Sequence, residues 1–484
     1  MPERAGVSHL KRVFADLPPV ALALGMVVLL ARTIWDRIHY PYDLEWMEGG
    51  MLLHAQRVAD GLPLYVEPST SFIPFIYPPL YPWIVGGLSL FTELDYALGR
   101  VVSVVGVVAA CAALWLAIRR EGGSIGIGVG AMGLFLCCYP DAGAFYDLVR
   151  NDGLWIGLVA WALVSVRMGW MRAGGLLLTA AFATKHTAAL LGLPLLWWVW
   201  HHEGKERAVR FVAWSVVPAL AFTVGMSLAS GGLFLTYVLD VPSVHPFVAE
   251  RFFILGPKEL VKALPWTNGL LLLVAIAGRR ATSAGGRFWV VNGTVILLLA
   301  LVMRGHHGGF LNVLIPGFWV LSLWAGLAAS HLRQRHPHLL VLVLTGVVIA
   351  WQLWTARWDP ARFVPTAEDI QAGDEVVAQL AEIDGEILSP WSPYLPVQAG
   401  KSGSIALIAL WDIDHKKGPL KRKAQVIKEA IAAQHWAAVL TSKGKLKRGL
   451  EEHYKKGPFK RPKGKAMYTK TGWRVRPKDL YLPR

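Results

Sequence analysis

Apolar runs that approach the length of a bilayer crossing recur from residue 18 to residue 356, and nothing else in the chain constrains its fold as tightly. The first, Val20 to Leu30, is flanked by Lys11 and Arg12 before it and by Arg32 and Asp36 after it. It belongs to the run 18–37. Others lie near 97–118, 123–140, 153–168, 173–184, 187–201, 209–230, 264–278, 288–303, 310–330 and 338–356. A ~30 Å hydrocarbon core needs ~20 such residues, and a segment in lipid must satisfy its own backbone hydrogen bonds, so each run is expected to be a helix. The composition agrees, with 54% hydrophobic and 17% charged residues and a mean hydropathy of +0.42. That balance is rare in a water-soluble chain of this length. We therefore expect an all-α polytopic membrane protein of about eleven transmembrane helices. No small-residue cleavage site follows the first run, which suits a retained helix better than a signal peptide.

The sign of the loops sets the expected sidedness. Lys and Arg cluster at Lys11/Arg12, Arg119/Arg120, Arg167 to Arg172, Lys205 to Arg210, Arg279 to Arg287 and Arg333/Arg335, and such loops favour the cytoplasm. All six fall on one side only if the segment 77–92, opening Tyr77-Pro78-Pro79-Leu80-Tyr81-Pro82-Trp83, is interfacial or re-entrant. Its prolines and headgroup-seeking aromatics fit that role. A conventional proline-containing span is the alternative, and it would invert everything downstream. With the first parity, 38–96, 141–152, 184–187, 231–263, 304–309 and everything after 357 face the extracytoplasmic side. The expected division is a transmembrane core over 1–356, with a first outer loop 38–96, and a small basic α/β extracytoplasmic domain over 357–484. Within that tail, strands are expected near Gly385–Ser389 and Ala437–Thr441 and a helix over Ala424–Ala433.

The formal charge of +16 comes from those loops and from the tail, where Lys443, Lys445, Lys447, Arg448, Lys455, Lys456, Lys460, Arg461, Lys463 and Lys465 crowd together. Such a pattern suits a membrane protein better than a nucleic-acid partner. A solvated basic surface is the first reading of the tail, and contact with anionic lipid heads or an anionic glycan the second. Cys111, Cys137 and Cys138 lie inside apolar runs, which argues for packing and against a disulfide framework or metal cluster.

Residues able to do chemistry collect on the expected outer face. Asp43, Glu45 and Glu48 follow the first span, and a helix over 45–59, ended by Gly61 and Pro63, would put Glu45 and Glu48 one turn apart on one face. They can serve as a general base or cation site, or can cap the helix N-terminus. Asp147, Arg150 and Asp152 can brace two helix ends as ion pairs, or Arg150 can fork a phosphate. Lys185 and His186 interrupt two short apolar runs, and a cation there needs an anionic partner. Arg304, His306 and His307 open a late span; lacking a third spaced ligand, the histidines suit polar contacts to a ligand or headgroup better than metal.

Taken in order over roughly 10–360, these pieces resemble the GT-C superfamily of polytopic glycosyltransferases. The likeness is to the glycosyltransferase family 39-like group of protein O-mannosyltransferases and lipid A aminoarabinose transferases. It is carried by the acidic segment, His54-Ala55-Gln56-Arg57 with Gly61-Leu62-Pro63-Leu64-Tyr65, Tyr77-Pro78-Pro79-Leu80 with Trp83, and Leu98-Gly99-Arg100. The Asp147/Arg150/Asp152 group, Thr184-Lys185-His186-Thr187, and Gly308-Gly309 with Asn312 and Pro316 complete it. The resemblance implies inverting transfer of a sugar from a polyprenyl-phosphate donor to an acceptor hydroxyl of a glycan, lipid or protein. It implies the extracytoplasmic side of a bacterial inner membrane, with a possible divalent cation but no certain cofactor. Counting back from Ala55, Glu48 matches the acid of the family's Asp-Glu pair, with Glu45 as the alternative base. Arg100, Arg150, Lys185 and Arg304 are the implied phosphate ligands, with Asp147, Asp152 and Tyr77 beside them. Two departures stand out: Met47 replaces the first acid of the pair, and Ile76-Tyr77 replaces a basic residue before the Pro-Pro. A transporter or flippase of a lipid-linked or anionic substrate is the leading rival, although no paired repeat supports it. A non-catalytic scaffold would leave the outer-face acids without a task.

Overall fold

The computed structural model describes residues 2–277, 284–442 and 449–484, so Arg279 and Arg280 of one basic loop and Lys443, Lys445, Lys447 and Arg448 of the tail lie outside the described residues. The chain runs through α1 (Pro2–Ile38), α2 (Glu48–Ala59), α3 (Leu80–Leu88), α4 (Tyr96–Arg120), α5 (Ile125–Cys137), α6 (Asn151–Arg167), α7 (Met171–Thr184), α8 (Ala189–His202) and α9 (Lys205–Ala229). Apolar helices Pro265–Ala277, Ala284–Gly305, Ile315–Arg335 and Leu339–Thr355 follow.

Among the described residues, five helical segments are long and apolar enough to cross a membrane alone: Val13–Ile38, α4, α9, Gly285–Gly305 and Leu311–Arg335. The other apolar runs form shorter helices, from 13 residues in α5 to 17 in α6. Polar or strained breaks trim them. Lys185, with extended backbone at φ −144°, separates α7 from a 3-10 turn and α8, so the break expected at Lys185 is present. The segment 77–92 contains only α3, nine residues long, which rises about 13.5 Å and cannot cross. It lies against α2, and its Tyr81 hydroxyl donates to the Gly99 carbonyl at 2.7 Å.

Helices α4 and α6 approach through Gly106, Gly153 and Gly157, where any added Cβ would run into the partner backbone. Small residues at such crossings are how helices pack in lipid, where apolar burial between them gains little. The basic loops gather at one end. There Glu121 receives Arg167 at 2.7 Å and the Trp289 indole at 3.2 Å, while Arg333 pairs with Asp16, which also accepts from Ser124.

At the opposite end the tail folds over the first loop. Its sheet comprises β1 (Ile387–Leu388), β2 (Ala438–Thr441), β3 (Tyr454–Lys456) and β4 (Asp479–Pro483) in the order β1-β2-β4-β3, with only β1 and β2 parallel. Two strands and the helix Val426–Ala432 fall where the sequence placed them. The tail is tied down by Tyr42 donating to Asp374 at 2.5 Å, Gln398 to the Pro41 carbonyl at 2.6 Å, and the Lys470 N–H to the Leu44 carbonyl at 2.8 Å.

This arrangement makes a topological prediction, since the native cysteines are all buried. Single cysteines replacing exposed Leu62 and Leu90 should react with a membrane-impermeant maleimide from the same side, and one replacing Arg120 from the other. Labelling of positions 62 and 90 from opposite sides would mean that α3 crosses.

Candidate active site

The loop between α1 and α2 is held by one buried ion pair. Glu48 opens α2, and its Oε1 accepts from Arg100 Nε at 3.1 Å and from the Val149 N–H at 2.8 Å. Its Oε2 accepts from Arg100 Nη2 at 3.0 Å and from the N–H groups of Leu44 and Glu45 at 2.6 and 3.3 Å. Arg100 directs Nη1 to the carbonyls of Arg37, Ile38 and Tyr40 at 3.1, 3.2 and 2.6 Å, and Nη2 also to Tyr42 at 2.8 Å. All five of its donors are thus engaged. The guanidinium supplies the partners that the last carbonyls of α1 lack within their own helix, where positive charge is favoured.

This changes the expected relation of the two glutamates. Helix α2 starts at Glu48, not at 45, because the Glu48 carboxylate reaches back to hold the Leu44 and Glu45 amides in a turn. Glu45 and Glu48 therefore do not share a helical face. A second buried pair stands beside the first: Arg37 meets Asp147 at 2.9 Å and donates to the Tyr139 hydroxyl at 2.6 Å. Arg304 is likewise committed, forked onto Glu259 by two bonds of 2.8 Å and bonded to the Gly309 carbonyl. His307 is exposed, and its carbonyl accepts from Arg251.

A different set of predicted residues is brought together with bonding capacity left over. Glu45 is buried, and its Oε2 accepts from the Met47 N–H at 3.2 Å and from Arg150 Nη1 at 3.4 Å. Burial pushes its carboxyl up to about 8, with the nearby Glu48 charge adding to the shift and Arg150 opposing it. Arg150, at the head of α6, also contacts Met47 Sδ and the Tyr77 hydroxyl, while its Nε has no acceptor. Asp152, one residue into α6, pairs with Lys185 and accepts from Asn312 at 3.0 Å, leaving Oδ2 without a donor. His186 Nδ1 and His306 Nε2 are also unpartnered among the described residues, as are the two atoms just named. Each such buried atom costs about 1–3 kcal/mol unless a partner meets it. Asp43 lies close by. Its Oδ1 accepts from the Gly49 N–H and the Tyr96 hydroxyl, and burial together with the charge of Glu48 pushes the group up to about 7.

The tail adds residues that the sequence reading did not single out. Asp412 lies within electrostatic reach of Arg150, its carbonyl faces His245 Nε2 at 3.1 Å, and burial pushes its carboxyl up to about 8. His245 in turn neighbours His306 and His415, with ring centroids 5.1 and 6.1 Å away. The available signal was the acidic pair Asp412 and Asp414 beside Trp411 within a strongly basic stretch. Among the described residues, no three His, Cys, Asp or Glu side chains converge as a metal site.

The two glutamates should separate by stability. Glu48→Ala strips Arg100 of its buried partner and is expected to cost about 3–5 kcal/mol, read as a lower thermal unfolding midpoint in detergent. Glu45→Gln removes a carboxylate with only two donors and should cost clearly less; equal losses would contradict the division.

No family profile matches the chain, and no curated protein sequence matches it. Solved structures do. ArnT from Cupriavidus metallidurans bound to undecaprenyl phosphate superposes with a TM-score of 0.62 at 13% identity, over 96% of this chain and 97% of that one. Its apo form gives 0.61 at 14% identity. The archaeal oligosaccharyltransferase AglB from Archaeoglobus fulgidus, in complex with an inhibitory peptide and a dolichol-phosphate, gives 0.51 at 10% identity over 91% of this chain and 70% of that one. Shared architecture over nearly the whole length, in an integral membrane protein with a small C-terminal sheet, establishes that this chain has the GT-C fold.

Proposed function

We propose that the protein is an inverting glycosyltransferase that moves a sugar from a polyprenyl-phosphate donor to an acceptor hydroxyl. It would work on the extracytoplasmic face of a bacterial inner membrane, the face that carries the tail. The observation that carries this reading is the Glu45–Arg150 pair: a buried carboxylate of raised pKa, 3.4 Å from an arginine whose Nε is unpartnered. Lys185 stands nearby on Asp152. The two neighbours bound to lipid phosphates support the donor class.

In this reading Arg150 and Lys185 receive the lipid phosphate, and Arg150 swings from Glu45 onto it. The freed Glu45 carboxylate takes the proton of the acceptor hydroxyl as its oxygen bonds to the anomeric carbon. The bond from that carbon to the phosphate oxygen breaks on the opposite face, and the phosphate leaves with the electron pair. A single displacement inverts the anomeric centre. Fixed positive charge on the leaving group and a positioned base are the two things this reaction requires. Glu48, Arg100, Asp147 and Arg37 would act by holding the frame.

Purified protein in lipid, supplied with a radiolabelled polyprenyl-phosphate-sugar pool and with water as the surrogate acceptor, should release free sugar and lipid phosphate, and Glu45→Gln should lower the rate by about 100-fold or more while still binding donor. Donor that crosses the bilayer unconsumed would favour the transporter. The base must be deprotonated, so turnover should climb with pH and level off above about 8, whereas a flat profile from about pH 6 to about pH 9 would exclude Glu45 as the base.

A further inference from the structure

Four tryptophans meet at the seam between the first loop and the tail. Trp46, Trp391, Trp411 and Trp473 contact one another in all six pairings, with ring centroids 5.3 to 6.0 Å apart and every pair tilted or edge-on. Their places in the chain tie them to the proposed chemistry. Trp46 directly follows Glu45, and Trp411 directly precedes Asp412. Trp473 follows Gly472, whose backbone comes so close that a Cβ there would lie 2.8 Å from Glu45 Oε1. The Lys470 and Thr471 N–H groups, bonded to the Leu44 carbonyl, hold that loop in place.

Packing alone accounts poorly for this cluster. Trp391 is 2% exposed, yet its Nε1–H has no acceptor among the described residues. Burying an indole donor that way costs about 1–3 kcal/mol, which an aliphatic side chain would avoid. Trp411 and Trp473 are only half-buried. Large rigid rings with open area, a buried N–H seeking an oxygen, and a carboxylate at their edge form a site with apolar faces and few, fixed polar groups. A pyranose ring has the matching chemistry, with a C–H face that packs on indole and hydroxyls that accept from an N–H. A peptide serine or threonine side chain offers no such face.

We infer that the tryptophan cluster is the acceptor subsite and that the acceptor is a saccharide, so that the tail completes the site rather than merely covering it. This rests on the glycosyltransferase reading above and narrows it.

The test uses full-length protein in lipid with the labelled polyprenyl-phosphate-sugar pool and three acceptor conditions: water alone, short oligosaccharides (maltotriose, cellotriose, mannotriose), and a serine- and threonine-containing peptide. Saccharide should raise donor consumption above the water rate, with sugar recovered on the oligosaccharide. Trp411→Ala and Trp473→Ala should raise KM for the saccharide about tenfold or more, while donor binding is retained. Trp411→Phe should recover most of the loss, and Trp473→Ala serves in place of Trp411→Ala should that fail to fold. Donor consumed with water or peptide but never accelerated by saccharide would overturn the inference and leave the glycosyltransferase standing, as would alanine variants with native saccharide KM. Donor consumed under none of the conditions would overturn both.

Discussion

Arg100 has no donor free and Glu48 no oxygen free, and both are fully buried. Taking two such charges out of water is costly, and the cost is recovered only when every lone pair and proton is met, as it is here. The bonds of this pair reach the end of α1, the turn at 40–45, the start of α2, the body of α4 and the Val149 amide before α6. Glu45 and Arg150 therefore face each other because a neighbouring charge pair fixes the two backbones that bear them. In the proposed mechanism the site inherits its geometry from a contact that takes no part in the chemistry.

A division of labour follows between saturated and unsaturated polar groups. Glu48, Arg100 and Arg304 are held by ion pairs and backbone partners, whereas Arg150, Asp152, His186 and His306 keep buried atoms with no partner among the described residues. Rigidity in the first group is what allows the second to stay under-bonded without collapsing onto other partners. The tail contributes to both: Lys470 and Thr471 pin the loop through Leu44, and Asp412 and the indoles approach from above.

Much of this was legible in the sequence, because apolar period, proline content and loop charge are local properties. The short helix α3, the interruption at Lys185 and the strands near 387 and 438 follow from such signals. The gathering of Tyr77, Arg150, Asp152 and Lys185 was suggested by the resemblance rather than by any local rule. The distinct roles of Glu45 and Glu48 were not legible, since they depend on Arg100, 52 residues away from Glu48 in the chain. Asp412 and the tryptophan cluster were hidden for the same reason: Asp412 reaches Arg150 and His245 from far along the chain, and Trp46 meets Trp391 and Trp411 more than three hundred positions later. Apolar runs also overstate helix length, because a run continues through residues at which the helix has already ended.

The most direct test of the central claim is an experimental structure with undecaprenyl phosphate bound. The phosphate should lie within hydrogen-bonding distance of Arg150 and Lys185, with the Glu45–Arg150 pair opened and the Glu48–Arg100 fork unchanged. A phosphate bound by Arg100 or Arg304, with the Glu48 carboxylate released and Arg150 still on Glu45, would contradict it.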